Sequence, residues 1–474
     1  MALDKPGYPL DIYQGLAIFQ GQELRCNNLR PITHDGRQSL SSPEILDPIL
    51  ENEPSTLGRG GLVRFQDRIY TVDNAGFSRI DYDNSAADDL TVTQISNVGV
   101  TDSPASTAKG LNHIVVVSSA SKSAYAINTV NDTVSRIDGE NNFLPNTVGV
   151  VHINGFFVFW TDDNKIFHSD INNPFSYRAL DATTIQQTDK IQSVVEFRGE
   201  LVVFFPETLL RYSFIGGANF VFQARPNTRV KIGLVSSGLI TSYGDDIYFV
   251  GSKRNQSPRV YRYSGTEPVQ ISNDYIDNEL AQLGIIDPEP SQVEYCLAYG
   301  VKDIETLVIR TNGGSFTFCY DLQSGKWFDR SVTINGGGIR HWQIQAVTEY
   351  RGRLLASTSK GMAEIAYQGF AKNDEDGGER RFSFTIPSLD LQGKAIRFSG
   401  ITLKFWDRFS GECTLSYSDD GGQTFNVLEP IRYNTLDNSR MEWNRLGSTD
   451  YTRILRFDFR SRFAFRISEV VANR

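Results

Sequence analysis

A two-strand unit recurs from residue 62 to about 368, and it limits the folds that are open to this chain. Each copy has a short apolar strand, a polar turn and a second, aromatic-rich strand, as in GVVHINGFFVFW. About seven copies follow one another at intervals of roughly 40 to 60 residues, which is typical of β-propellers. The turns pivot on Gln66-Asp67, Asn154-Gly155, Arg198-Gly199, Gly244-Asp245 and Arg351-Gly352. The sequence therefore predicts a β-propeller of about six or seven blades, and an array of meandering β-sandwiches is the alternative.

The rest of the chain divides around these repeats. Strands are favoured throughout, because 30 Phe, 20 Tyr and many β-branched residues accompany 40 Gly. Residues 1–58, rich in Pro, Asn and Ser, are predicted to form an extended N-terminal arm, with part of DIYQGLAIF closing a blade. Residues 59–370 are the predicted propeller, and the polar residues 371–380 are a predicted linker. Seven alternating segments in residues 381–474 predict a C-terminal β-sandwich, so the expected fold class is all-β.

One helix is expected, in the stretch SNDYIDNELAQLG. It begins with a Ser or Asn cap, carries acidic residues in its first turn and ends at a glycine. Its apolar residues are Tyr275, Ile276, Leu280 and Leu283. The helix is predicted to be a short insertion between blades.

The stretch GFFVFWTDDNKIFHSD at residues 155–170 is the first candidate site, because Asp162, Asp163, His168 and Asp170 are of the types that bind metals or transfer protons. The competing interpretation is a β-hairpin with an acidic turn, and the repeat pattern favours it. In the second strand, alternation places Ile166 and His168 on one face. The other histidines, which form no metal-binding pattern, are His34, His113, His152 and His341.

A second candidate, SDDGGQTF at residues 418–425, matches the Asp-box pattern of sialidases and related propeller hydrolases. Those enzymes carry several boxes, whereas this chain has one, outside the repeats. A tight structural hairpin is the favoured interpretation, with Asp420 capping backbone amides and Gly422 at positive φ. Nucleotide-binding and nucleophile motifs are absent from the sequence, so we predict no enzyme and no catalytic, cofactor-binding or metal residues.

The charge of the chain argues against tight binding of nucleic-acid phosphates. The formal net charge is −9, whereas such binding depends mainly on Lys and Arg. One basic stretch stands near the end of the sequence, but alternation of Arg and Phe predicts that they occupy opposite faces of strands. Its members are Arg445, Arg453, Arg456, Arg460, Arg462 and Arg466, with Phe457, Phe459, Phe463 and Phe465 between them.

The cysteines and the apolar runs indicate where the chain folds. The four cysteines are far apart in sequence and form no CxxC pair, which predicts reduced thiols and folding in the cytoplasm. They are Cys26, Cys296, Cys319 and Cys413. The beginning of the sequence has no signal pattern, and no apolar run is long enough for a membrane anchor.

Four stretches together resemble one known family. MEWNRLGSTDYTRILRFDF, preceded by LSYSDDGGQTF, is similar to the C-terminal signature of packaged-DNA-stabilisation proteins of short-tailed bacteriophages, also called tail hub or nozzle proteins. RCNNLRPITHDGRQSLSSPEI resembles their opening pattern, and VYRYSGTEPVQISNDYIDNEL their strand-then-helix segment. Glu44 replaces the usual glycine after Pro43, which puts the construction of that turn in doubt.

The resemblance implies a structural protein of the virion tail, assembled in the host cytoplasm. In that family, six copies form a ring below the portal and its adaptor ring and extend the DNA channel. The hub binds tailspikes or fibres, often binds a needle, helps to retain packaged DNA and conducts the genome at ejection, when DNA passes transiently through its lumen. The rival hypothesis is a carbohydrate-active or carbohydrate-binding propeller, which would need arginines and a carboxylate pair around one central cleft.

Overall fold

The structure is a computed structural model of the 474-residue chain. It describes residues 8–10, 17–19, 22–34, 37–42, 44–51, 61–73, 75–84, 89–100, 106–137, 146–282, 295–301, 304–311, 317–334, 338–342, 344–358, 361–366, 380–386, 396–449 and 453–473. The predicted linker at 371–380 thus lies outside the described residues except for Arg380.

Seven strands precede the repeats. They are β1 (Tyr8–Leu10), β2 (Ala17–Phe19), β3 (Gln22–Leu24), β4 (Cys26–Asn27), β5 (Arg30–His34), β6 (Arg37–Ser41) and β7 (Ile45–Glu51). The prediction that DIYQGLAIF closes a blade is wrong for its described part, because β2 pairs with β3 in a separate hairpin.

The repeats form seven successive antiparallel groups of strands within the described residues. The first three groups are β8 (Leu62–Phe65), β9 (Arg68–Asp73), β10 (Gly76–Tyr82) and β11 (Leu90–Ser96); β12 (Ser106–Lys109), β13 (His113–Ser118), β14 (Ser123–Asn128) and β15 (Thr133–Arg136); and β16 (Thr147–Ile153), β17 (Phe156–Thr161), β18 (Lys165–His168) and β19 (Ala182–Thr184). The fourth and fifth are β20 (Ser193–Phe197), β21 (Glu200–Phe204), β22 (Leu209–Phe214) and β23 (Phe222–Ala224); and β24 (Gly233–Leu234), β25 (Ile240–Tyr243), β26 (Asp246–Ser252), β27 (Arg259–Tyr263) and β28 (Val269–Gln270). The sixth is β29 (Tyr295–Val301), β30 (Ile304–Arg310), β31 (Thr317–Asp321) and β32 (Lys326–Thr333), with β33 (Ile339–His341) paired to β32. The seventh is β34 (Ile344–Tyr350), β35 (Arg353–Thr358) and β36 (Gly361–Ala366), completed by β7.

The predicted turn dipeptides adopt the backbone conformation that tight hairpins need. Positive φ at both central residues matches the right-handed twist of the flanking strands, and three of the predicted pivots have it. They are Asn154-Gly155 (50° and 86°), Arg198-Gly199 (51° and 78°) and Arg351-Gly352 (50° and 75°). We call the surface that carries these turns, between the first two strands of each group, the turn face.

The groups are packed side by side in a closed ring. Strand β34 of the last group contacts β8 of the first. Alternate residues of one strand face opposite neighbours: in β17, Phe157 and Phe159 pack against the second group, whereas Val158 and Trp160 pack against the fourth. A hydrophobic core lies between every successive pair of groups, including the first and the seventh. The strands are therefore buried on both faces.

The single helix of the described residues, α1 (Asp274–Gln282), follows the fifth group as predicted. Asn273 is the cap, since its Oδ1 accepts a hydrogen bond from the Ile276 amide at 3.1 Å. Ile276 and Leu280 are buried. Within the described part of the chain, no helix has the length and apolar character that crossing a bilayer requires.

The C-terminal strands are β37 (Arg381–Ile386), β38 (Ile396–Ser418), β39 (Asn426–Val427), β40 (Ile431–Thr449), β41 (Ile454–Arg460) and β42 (Arg466–Asn473). GITLKFWDRF and GECTLSYSD, expected as separate strands, are both parts of β38. The pairing of β38 with β40 shifts register around Phe409, where bulges let one long strand turn a corner. At Gly411 (φ 145°), a Cβ atom would lie 2.3 Å from the Arg460 carbonyl oxygen, so this corner requires glycine.

Strands from the N-terminal segment join the other parts of the molecule. β4 pairs in parallel with β32 of the sixth group and antiparallel with β37, so one sheet runs from the sixth group into the C-terminal strands. β6 and β1 pair with β42. Residues predicted to form an arm thus contribute strands both to the repeats and to the C-terminal sheet.

Candidate functional site

The acidic turn at residues 162–164 belongs to the hairpin of β17 and β18, as the repeat pattern predicts. The Asp162 carboxylate forms an ion pair with Lys122 of the second group at 2.7 Å, and a hydrogen bond from Lys122 lowers the pKa of Asp162 below its ordinary value. Asp163 and Asp170 each accept a hydrogen bond from a nearby hydroxyl group. The acidic residues of the first candidate site therefore have separate local partners.

His168 is a packed residue of the core between the third and fourth groups. Its ring centroid lies 4.9 Å from that of Phe156 and 5.7 Å from that of Phe220, and its Nδ1 atom is 2.8 Å from the Ser169 carbonyl oxygen. It shares this face with Ile166, as alternation predicts. His168 is therefore a buried core residue, 2% exposed.

The other candidate ligands are also dispersed. Among the described residues, no group of three or more His, Cys, Asp or Glu side chains could hold a metal ion. The His113 and His152 rings stand against Phe175 and Phe157, and burial lowers the pKa of both histidines. The four cysteines are buried, and none of them forms a disulfide bond.

The Asp-box residues form the tight turn that the sequence predicts. Asp420 accepts hydrogen bonds from the Thr424 amide at 3.0 Å and from the Ser418 hydroxyl at 2.6 Å. These bonds lower the pKa of the Asp420 carboxyl well below its ordinary value. Gly421 and Gly422 have φ values of 78° and 90°. Ser418, Asp420 and Thr424 thus stabilise the hairpin between β38 and β39, whereas the Asp419 carboxylate pairs with Arg453 at 2.6 Å.

A central cavity of 310 Å³ lies among the first strands of the second, third and fourth groups. Serine hydroxyls and valines dominate its lining, with Ser106, Val150 and Ser193 as examples. Among the described lining residues, Glu196 is the only charged one, and its Oε1 atom accepts a hydrogen bond from the Gly199 amide at 2.8 Å. The described lining thus has neither the arginines nor the carboxylate pair that a glycosidase cleft would need.

A larger cavity, of 450 Å³, opens on the turn face between the seventh, first and second groups. Arg68 and Arg79 of the first group both pair with Asp132 of the second group. The Tyr70 hydroxyl also donates a hydrogen bond to Asp132 at 2.8 Å. Asp81 also pairs with both arginines, at 3.5 Å from Arg68 and 2.6 Å from Arg79, so two positive and two negative charges balance. This cluster joins two neighbouring groups.

A similar contact joins the seventh group to the first. Arg351 Nε donates a hydrogen bond to Asp67 Oδ1 at 3.0 Å, and this bond lowers the pKa of Asp67. The Arg351 guanidinium also lies 4.1 Å from the centroid of the Tyr82 ring. The turn residues that the sequence singled out as pivots thus tie neighbouring groups together.

A buried ionic network, which the sequence analysis missed, fixes the N-terminal segment to the sixth group. Arg30 and Glu44 are 2% and 1% exposed. Arg30 Nη1 lies 2.6 Å from Glu44 Oε1, and Arg30 Nε donates a hydrogen bond to Asp321 Oδ1 at 3.0 Å. Burial alone would lower the pKa of Arg30, but Glu44 and Asp321 hold it above its ordinary value.

The second arginine of this network is Arg330 in β32. Its Nη1 atom lies 3.5 Å from Glu44 Oε2, and its Nη2 atom donates a hydrogen bond to the Glu44 carbonyl oxygen. The guanidinium stacks 3.4 Å from the centroid of the Trp342 ring. Glu44, noted in the sequence as a replacement for glycine, is thus the carboxylate that joins two buried arginines.

Comparison with known families decides the class of the protein. The family model described as bacteriophage P22 Gp10, beta-propeller, matches residues 57–351. The chain belongs to this family. The match confirms both the resemblance to phage stabilisation proteins and the predicted all-β propeller fold.

The match to the P22 Gp10 family covers most of the ring of strand groups. It begins just before β8 and ends at Arg351, in the turn after β34. The N-terminal strands and all the C-terminal strands lie outside it. Assignment to the family thus rests on the propeller repeats. The buried network around Glu44 joins residues outside the match, Arg30 and Glu44, to residues inside it, Asp321 and Arg330.

Comparison with solved structures finds matches at low identity. The N-terminal domain of Nup159 is 9% identical, with 72% of this chain and 97% of that chain covered and a TM-score of 0.40. The WD40 β-propeller domain of Doa1 is 8% identical, with 69% and 98% covered and a TM-score of 0.38. The designed Ika8 protein is 8% identical, with 75% and 99% covered and a TM-score of 0.37. With values this low, none of these similarities bears on function. A comparison with the curated proteins finds no match.

Proposed function

We propose that this phage structural protein is a tail hub, or nozzle, in which six copies extend the DNA channel below the portal and its adaptor ring. The observation that carries the proposal is the match of residues 57–351 to the P22 Gp10 family. In this role the hub helps to retain packaged DNA, anchors tailspikes or fibres and conducts the genome at ejection. A tail needle is a further proposed partner. Its place is the virion tail, after assembly in the host cytoplasm.

The ring of strand groups supports a mechanical role. Every group is packed against its neighbours through a hydrophobic core, and charged clamps such as Arg68–Asp132 and Arg351–Asp67 connect adjacent groups on the turn face. Such a body resists deformation when DNA passes beside it. The net charge of −9 also suits a channel, since acidic walls repel phosphates and do not retain the genome.

We also propose the division of the chain into an N-terminal platform segment (1–58), a propeller (59–370), a linker (371–380) and a C-terminal β-sandwich (381–474). The seven strand groups would be the blades of the propeller. The pairing of β7 with β36 means that the platform segment and the propeller must fold together. Limited proteolysis tests the division, because cleavage within 371–380 should give two fragments that each resist further cleavage and stay associated through the pairing of β4 with β37 and of β6 with β42.

Native mass spectrometry tests the function directly. The purified protein is measured alone and after mixing with the adaptor ring of the same phage. We expect a hexamer, or a monomer that becomes six-fold on the adaptor only. A monomer that ignores the adaptor but binds or cleaves a glycan would overturn the proposal in favour of a carbohydrate-active propeller.

A further inference from the structure

The C-terminal sheet has one apolar face and one polar face, which together explain the alternation of Arg and Phe. In β41, Phe457 and Phe459 are buried, and their rings stack with Phe384 of β37. On the opposite face, Arg456 is half-buried and Arg460 is exposed. The predicted separation of the two residue types is therefore confirmed within β41, and the polar face is left open, whereas Arg453, just before β41, is buried and pairs with Asp419.

This polar face is the floor of a groove of 390 Å³ at the junction of the propeller repeats and the C-terminal strands. Asn28, Ser331 and Thr333 line the side formed by the N-terminal segment and the sixth group. Two apolar side chains, Ile339 and Val427, also line the groove and are 42% and 66% exposed. The groove thus combines a charged floor with exposed apolar surface, which is the composition of many protein-binding sites.

Two arginines lie side by side on this floor. Arg381 of β37 and Arg460 of β41 are direct cross-strand partners, and both are exposed. Among the described residues, neither forms an ion pair. Glu412, the cross-strand partner of Arg460 on its other side, pairs with Arg432 instead. Like charges directly opposite each other destabilise a sheet, so a carboxylate that bound both Arg381 and Arg460 would relieve their repulsion.

We infer that this groove is a docking site for an acidic segment of another protein chain, with carboxylates on Arg381 and Arg460 and an apolar side chain on Val427. This inference deepens the proposed hub function and rests on it, because a hub must hold neighbouring chains. Arginine forks bind carboxylates through two parallel hydrogen bonds, which suits an exposed pair of this kind. Charge complementarity selects the partner, since the arginine pair is a local positive site on a chain of net charge −9.

Nucleic acid is a poorer fit to the same site. Four arginines line the groove, namely Arg25, Arg381, Arg456 and Arg460, and Glu412 and Asp458 lie among them. Such separate positive points suit a segment with a few carboxylates, whereas a phosphate backbone needs a continuous basic track. A volume of 390 Å³ accepts a few side chains and not the width of a duplex. The exposed apolar lining residues have no counterpart in phosphate recognition.

The test uses the full-length protein and a fluorescein-labelled peptide of alternating Glu and Leu, followed by fluorescence anisotropy at low salt. The R381Q/R460Q variant should bind the peptide at least tenfold more weakly than the wild type. It should melt no earlier than the wild type, because the repulsion between the two arginines is gone. The matched control is K253Q/R254Q, which removes two exposed charges far from the groove and should leave peptide affinity unchanged.

Three results would overturn the inference. They are unchanged affinity in R381Q/R460Q, an equal loss in the control variant, and tighter binding of a labelled single-stranded oligonucleotide that displaces the peptide. If the double variant melts at a lower temperature than the wild type, peptide affinity is measured in the single variants R381Q and R460Q instead. Unchanged affinity in both single variants refutes docking. Native mass spectrometry separates the two proposals. If the double variant assembles six-fold but binds the peptide normally, only the docking proposal is refuted. If the wild type does not assemble, the hub proposal is refuted.

Discussion

Replacement of Glu44 by alanine would remove the carboxylate that lies between two buried guanidinium groups. Arg30 would keep Asp321, at 3.0 Å from its Nε atom. Arg330 would keep only the backbone carbonyl oxygen of residue 44 and the ring of Trp342. The variant thus leaves one buried positive charge without a carboxylate partner.

The expected loss follows from that difference. Removal of one member of a buried ion pair costs about 3 to 5 kcal/mol, because the remaining charge stays desolvated. Since Arg30 retains Asp321, we expect the lower end, about 3 kcal/mol in the free energy of unfolding. Urea denaturation followed by tryptophan fluorescence measures it, and Glu207→Ala, which changes a half-exposed carboxylate 4.0 Å from Arg254, is the control. The control should change stability by less than about 0.5 kcal/mol.

A double variant makes the explanation refutable. In Glu44→Ala/Arg330→Met, the unpaired charge is gone, and stability should recover in part relative to Glu44→Ala alone. The reasoning is refuted if Glu44→Ala is as stable as the control variant. It is also refuted if the second substitution adds its full cost to the first, because the two side chains would then not be coupled.

Three further perturbations probe other parts of the molecule. Asp132→Ala should lower the free energy of unfolding by about 1 to 3 kcal/mol, because Tyr70 loses its acceptor and two arginines are left with Asp81 alone. Urea denaturation beside Glu267→Ala checks this, and equal effects of the two substitutions would contradict the role of Asp132. Hydrogen bonds lower the pKa of Asp420, so its contribution to folding stability is present above its unfolded pKa of about 4 and is lost as pH falls through the lower folded value. Between pH 6 and about pH 2, the melting temperature of Asp420→Asn should therefore fall less steeply than that of the wild type. Parallel curves would exclude this linkage. Gly149→Ala would place a Cβ atom 2.0 Å from Cζ2 of the Trp160 ring, so about 1 to 3 kcal/mol of stability should be lost in denaturant titrations, and a neutral result would mean that the ring moves freely.

Local rules were sufficient for the repeats. The dipeptides Asn154-Gly155 and Arg351-Gly352 could be recognised as turns because the flanking strands were apolar on both sides, and the structure gives them the expected positive φ. The Asp420 turn and the α1 helix were likewise predicted from capping residues a few positions away. Alternation placed His168 on the same face as Ile166, but its packing against Phe220, which is distant in sequence, could not be predicted. For the turns and the helix cap, the partners of each residue are near it in sequence.

Partners that are distant in sequence could not be predicted. Nothing in ILDPILE indicates that it pairs with residues 361–366, because several strands of similar character compete for that edge. Arg30 and Arg330 are typical surface residues by type, and only the fold shows that Glu44 lies between them. The corner of β38 at Gly411 was read as a break between two strands, since a bulge and a turn have similar sequence signals.

The pairing of β7 with β36 also has a consequence for the order in which the protein can be made. A ribosome releases residues 45–51 early, but their partner, residues 361–366, leaves it only after the intervening groups have been synthesised. Until then the first and last groups cannot meet, and the nascent chain carries open strand edges that can pair with another copy. Contacts between residues this distant also slow folding. Two rates therefore compete: closure of the ring within one chain, and contact between nascent chains on neighbouring ribosomes of one messenger RNA. Unfinished chains avoid association only if ring closure is the faster event.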